Sequence, residues 1–387
     1  MGRILSTEVK HDAERLYYLD NFRTYLTTIV IYHHTAVGYG GVGNWFYQSR
    51  YHPQGSSEAL VAFNAFNQTY FMASFFFLSS LMSTRALKRK SVQQFLRSKH
   101  IKLGIPVIVY TLLGGPAQIA LSRLHSHEPL GLDILVNFWK SLRGVRGPVW
   151  YTALLLIFDT INALVPNSLP FNPPQFLTGV FLDVACNVSV RLLYPVGYIF
   201  VPLNLQLGYM TQYIASYALG SKFALFDSPL SQPPLPTAPN LIPLPSLTPA
   251  TRNTLLASSI MSGAAIVGLL HYYPNTYSLP SLLGGLNSGA ISYAIWNEST
   301  GYLIGSSLLG LFKRSALLSR DWGSTGRYSY AAFLVHPIVC VRAQLWTDNW
   351  NASGILKTLV VGTGGVLGSW VVGWAIVRVP GVGRVLA

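Results

Sequence analysis

The chain has 387 residues, of which 50% are hydrophobic and only 10% charged, with a net charge of +14 and a mean hydropathy of +0.37. Soluble domains of this size carry about 25% charged residues, so the composition points away from a soluble globular enzyme and toward a lipid setting. The excess positive charge gathers between apolar stretches, which assigns it to membrane orientation, lipid headgroups or an anionic co-substrate, not to nucleic acid.

A polar arm bearing Arg3, Lys10 and Arg15 precedes the first apolar run at 24–42, and no small-residue cleavage site follows, so this run reads as a retained span. Further runs follow at 60–82, 103–122, 148–165, 176–190, 203–221, 254–272, 283–312, 326–346 and 357–377. Runs near twenty residues suffice for a hydrocarbon core about 30 Å thick. The expected fold is therefore all-α, a polytopic bundle of about ten transmembrane helices in one domain over residues 1–387. With the N-terminus inside, nineteen of the 27 Lys and Arg residues fall on one side. That bias predicts cytoplasmic N- and C-termini in an endomembrane or plasma membrane.

Two connecting segments are long. Residues 123–147 hold His125-x-His127 without further ligands at metal-site spacing, so no metal site is expected. Residues 222–252 are proline-rich and read as an irregular linker. Cys186 and Cys340, both in apolar context, form no disulfide framework. Of the Asn-x-Ser/Thr tripeptides, Asn67 and Asn297 lie within apolar runs, leaving Asn187 and Asn351 as the accessible glycosylation acceptors.

Arg23 and His34 are eleven residues apart. On a helix this spacing is about 1100°, three turns plus roughly 20°, so the two share a face about 16 Å apart. Polar groups at membrane depth are costly, which makes the pair a functional candidate. The planar Arg23 fork suits a phosphate, and His34 suits a general base or an acyl-carrying nucleophile. The plainer alternatives are an interfacial Asp20–Arg23 pair and a packed histidine. His33, about 100° round, does not share the face of His34. Asp159 and Glu298 are isolated acids within apolar runs, and each needs a partner. Either would orient His34 as a carboxylate does, or pair with Arg191 or Arg342. His336, before Pro337, reads as a hydrogen bond at a proline kink. Trp150 and Tyr151 stand at a span entrance, where aromatic belts are ordinary.

Tyr18-Leu-Asp20-Asn-Phe-Arg23 with Tyr32-His33-His34-Thr35 resembles the first span of the acyltransferase-3 family of integral membrane acyltransferases. The resemblance runs in order through Phe95-Leu-Arg97, Lys102-Leu-Gly104-Ile-Pro106, Gly147-Pro148-Val-Trp150-Tyr151 and Tyr194-Pro195-Val-Gly197. It continues through Gln206-Leu-Gly208-Tyr209, Gln212-Tyr213, Trp296-Asn-Glu298, Ser329-Tyr330-Ala331 and His336-Pro337. It is similar to fungal-type members of roughly ten spans linked loosely with glucan biosynthesis.

The resemblance implies transfer of an acyl group, often acetyl, from acyl-CoA (acetyl-CoA) as co-substrate to a hydroxyl of a sugar or secondary metabolite. The family's Arg-x10-His element maps onto Arg23 and His34. Its two arginines entering the third span correspond to Lys99 and Lys102, which keep the charge but lose bidentate recognition. With Arg23 and Arg97 these are the expected acyl-CoA contacts. Trp150, Tyr151, Gln206, Tyr209 and His336 are the expected acceptor contacts, and His34, Arg23, Glu298 and Asp159 the expected catalytic set. The competing readings are a terpene or meroterpenoid cyclase, in which aromatic faces stabilise cations and the acids supply protons, and a transporter.

Overall fold

The computed structural model describes residues 16–165, 173–226, 249–273 and 278–386. Arg3, Lys10, Arg15 and most of the proline-rich segment lie outside the described residues. In chain order the elements are α1 (Tyr17–Gly38), α2 (Glu58–Leu87), α3 (Val92–Lys99), α4 (Ile105–His125), α5 (Asp133–Lys140), α6 (Trp150–Leu164), α7 (Pro173–Leu193), α8 (Met210–Phe226), α9 (Pro249–Tyr272), α10 (Leu279–Leu283), α11 (Ser288–Arg314), α12 (Ala316–Ser319), α13 (Thr325–Trp346), α14 (Gly354–Val377) and α15 (Gly383–Leu386). Among the described residues, the strands are β1 (Ile199–Phe200) and β2 (Leu205–Gln206), paired antiparallel. The fold is an all-α bundle, and a helix overlies every expected span. The flanks of the proline-rich segment belong to α8 and α9 instead of an irregular linker, and α5 interrupts the expected 123–147 loop.

Four segments are long and apolar enough by themselves to cross a membrane: Val92–His125, Gly147–Leu164, Ala250–Tyr272 and Gly354–Val377. They present apolar side chains outward, as with Ile108, Met261, Leu367 and Val371, and that outward face makes this a membrane protein. The other long helices are less apolar because their polar residues point into the bundle. Asn64, Asn67, Ser80 and Thr84 on α2, Asn297 and Thr300 on α11, and Ser329 and Gln344 on α13 are all buried. On α1, Thr24, Thr27 and Thr35 satisfy their hydroxyls on carbonyls four residues earlier, at 3.0, 3.0 and 2.8 Å.

Small residues set the closest helix contacts. A methyl group at Gly220 of α8 would fall on the Phe77 carbonyl of α2, and one at Gly301 of α11 on the Thr69 carbonyl. Backbones meet there without intervening side chains. Around these contacts Phe22, Phe75, Phe76, Tyr151, Phe158, Tyr213 and Phe333 form one aromatic core.

Three prolines open the helix ladder, and a side chain fills each gap. A proline cannot donate to the carbonyl four residues earlier. Pro106 thus frees Lys102 O, which accepts from Tyr330 OH at 3.0 Å beside a π-helical turn at His100–Gly104. Pro116 frees Leu112 O, which accepts from Trp139 Nε1 at 3.0 Å. Pro337 frees Phe333 O, which is met by His336 Nδ1 at 2.5 Å.

Beyond the C-terminal end of α1, the 39–57 loop is latched to the α13–α14 turn. Buried Asp348 accepts from Tyr47 OH at 2.5 Å and from Arg50 Nη2 at 2.8 Å, while Lys357 Nζ donates to the Asp348 carbonyl at 3.2 Å. Burial and the Asp348 carboxylate hold the Tyr47 phenol well above its ordinary pKa. Asn187 is fully buried and donates to Gly208 O at 3.0 Å and Thr211 Oγ1 at 2.9 Å. It is a packed amide, which corrects the expectation of an accessible sequon there. Asn351 is exposed.

Candidate active site

α1 and α13 run side by side, and the helical-face arithmetic holds: Arg23 meets Ser329 on α13, and His34 meets His336. The last turns of α1 need partners for carbonyls that have no donor ahead of them. Gly38 O accepts from Ser49 N at 2.9 Å, which folds the following loop back over the helix end. Gln344 Nε2 reaches Thr35 O at 3.4 Å, and its Oε1 accepts from Trp45 Nε1 at 2.7 Å. Asn64 donates to His33 O at 3.0 Å and accepts from Val42 N at 3.1 Å. Two amides therefore hold the loop that carries Trp45 against the turn that carries His34.

The space enclosed is a chamber of about 760 Å³. Three near-parallel rings line one wall. His34 stacks on Trp45 at 4.4 Å and on His336 at 5.4 Å between centroids, and Trp45 lies within 10° of parallel to His336. His33 also lines the chamber, with its ring 4.9 Å from Phe71. Trp150, Gln206, Tyr209 and Tyr213 contribute to the other walls. The loop residues 42–46 and 146–147 and the β1–β2 hairpin, which also line it, place its mouth at the C-terminal end of α1. Among the described lining residues there is no carboxylate, and Arg146 supplies the one formal charge.

Three buried nitrogens at the chamber have no hydrogen-bond partner among the described residues: His33 Nδ1, His34 Nδ1 and His336 Nε2. The Phe333 carbonyl can only accept, so His336 Nδ1 carries the proton of the bond between them and Nε2 is the bare nitrogen.

The structure brings His34, Trp150, Gln206, Tyr209 and His336 together at the chamber. Tyr151 lies behind the wall, hydrogen-bonded to Ser79 at 2.6 Å and to Phe75 O at 3.3 Å. Arg23 does not line the chamber. Its Nε donates to Ser329 Oγ at 3.2 Å, and its Nη2 to Gly326 O at 3.0 Å and to Asp20 at 3.3 Å. The buried side chains of Phe22 and Leu26 fill the core beside it.

Neither acid reaches His34. Asp159 is fully buried, 2.9 Å from Lys99 Nζ and 2.6 Å from Tyr217 OH. Glu298 pairs with Arg191 at 3.2 Å and accepts from Asn297 at 3.0 Å. Arg342 lies instead over the Trp346 ring. Lys99 is thereby committed to Asp159, whereas Arg97 and Lys102 are exposed. The Tyr330–Lys102 bond places Lys102 near Arg23, at the end of α13 away from the chamber.

The sequence did not single out Trp45, Asn64 or Gln344, none of which lies on the helix that carries His34. Only the return of the chain over α1 brings them there.

A family model described as an acyltransferase domain matches residues 16–374. The chain belongs to the acyltransferase-3 family. It is an acyltransferase, and the matched span includes every helix that forms the chamber of this acyltransferase. No curated protein matches the chain significantly.

Proposed function

We propose that the acyltransferase moves an acyl group, acetyl foremost, from an acyl-CoA thioester to a hydroxyl of a sugar or secondary metabolite within the chamber. The observation that supports this reading is His34, held in a largely apolar, carboxylate-free chamber with a buried ring nitrogen uncommitted. Such a site suits a slender thioester arm and an imidazole acting directly on the reacting group. Exposed Arg97 and Lys102, the latter near partly exposed Arg23 at the opposite end, offer the CoA phosphates a basic entrance. Arg23 also ties α1 to α13, a positioning role for the helix that carries His34. In this reading the helices cross the membrane ten times with both termini on the basic, cytoplasmic side. The acceptor enters from the other side.

Membranes containing the chain, given labelled acetyl-CoA, are expected to form an acetylated hydroxyl product. His34→Ala is expected to lower that transfer by about 10²- to 10⁴-fold without changing the melting temperature. Full transfer by the variant would remove His34 from the chemistry. Product formation indifferent to CoA would remove the donor.

A further inference from the structure

The sequence His336-Pro337 builds a base into the wall of the chamber. Pro337 has no N–H, so the Phe333 carbonyl lacks its helical donor and takes His336 Nδ1–H instead. That bond fixes the tautomer and the ring orientation, as a backbone carbonyl does for a working histidine. Nε2 is left with a bare lone pair, buried and without a partner among the described residues, on a ring that lines the chamber 5.4 Å from His34. His34, with its Nδ1 unpartnered, has no comparable anchor to set its tautomer. We propose that His336 is a second catalytic residue, the general base that takes the proton from the acceptor hydroxyl.

This rests on the acyl-thioester reading above. In the step, the acceptor O–H bond breaks and its proton passes to His336 Nε2 while the oxygen forms a C–O bond to the acyl carbon. The thioester C–S bond breaks, and Nε2–H returns the proton to the departing thiolate, giving ester and thiol. Pro337 acts as a positioning residue through the carbonyl it leaves free.

The test compares two acceptors in vesicles containing the full chain and labelled acetyl-CoA. Octyl glucoside offers a hydroxyl that needs deprotonation, and hydroxylamine attacks without it. His336→Asn keeps an N–H for the Phe333 carbonyl and removes the base. Its transfer to octyl glucoside is expected to fall by about 10²- to 10⁴-fold, and its enzyme-dependent transfer to hydroxylamine by less than about tenfold. Pro337→Ala restores a backbone donor that competes for the carbonyl, and is expected to lower glucoside transfer selectively. A purely structural role would lower both acceptors together. That outcome, or near-normal glucoside transfer by His336→Asn, overturns the assignment. A wild-type chain that acetylates neither acceptor overturns the thioester reading and this inference with it.

Discussion

Lys99 Nζ lies 2.9 Å from Asp159 Oδ2, and the carboxylate it meets is fully buried. The pair joins α3 to α6, so a lysine expected at a CoA phosphate is a structural partner instead. Removing one member of a buried pair strands the other and costs about 3–5 kcal/mol, whereas replacing both with apolar residues is close to neutral. Lys99→Ala and Asp159→Ala are each expected to destabilise by about that amount, with Lys99→Met/Asp159→Leu recovering most of it. Unfolding in detergent measures this. A Lys99→Ala protein of normal stability with a raised KM for acetyl-CoA would return Lys99 to the donor site.

Glu298 and Arg191 lock α11 to α7, and the Arg191 guanidinium lies over the rings of Tyr209 and Tyr293 at 4.7 and 5.3 Å. Both rings line the chamber, but the carboxylate does not. Glu298→Ala is therefore expected to cost about 3–5 kcal/mol of stability. Transfer by the protein that remains folded should fall by less than about tenfold. A loss of activity comparable to that of His34→Ala, at unchanged stability, would make Glu298 a participant in the reaction.

The Tyr47–Asp348 bond predicts alkaline sensitivity. The folded Tyr47 pKa is raised, so above about pH 10 the unfolded phenol ionises while the folded one keeps its proton. The folded state then binds more protons, and stability falls as pH rises. Tyr47→Phe is expected to flatten this decline between pH 9 and 11 and to cost about 1.5–3 kcal/mol at neutral pH through the lost bond to a carboxylate. Melting temperatures across that range check both expectations.

The sequons at Asn187 and Asn351 should behave differently in a glycosylating host. Asn351→Gln is expected to remove any glycan-dependent mobility shift. Asn187→Gln is expected to leave mobility unchanged while lowering stability, because its amide bridges to Gly208 and Thr211 inside the bundle. A shift lost with Asn187→Gln would place that asparagine outside the folded core.

Much of the fold was legible in the chain because membrane-spanning helices announce themselves by length and apolarity, which do not depend on neighbours. The shared face of Arg23 and His34 was equally legible, since it is a property of one helix, and both do face α13. Their expected common ligand was not, because helix geometry says which way a side chain points and nothing about what fills the space beside it. Arg23 finds Ser329 and Gly326 waiting, while His34 finds a chamber.

The amino-acid sequence by itself determined the helical bundle and the face shared by Arg23 and His34, since each follows from local composition or from a period within one helix. Only the tertiary structure decided which of these groups share a space. The loop that carries Trp45 folds back over α1, and Lys99 and Arg191 claim the two acids. Those outcomes depend on contacts between residues up to some three hundred positions apart, such as Trp45 and Gln344, and no local pattern encodes them.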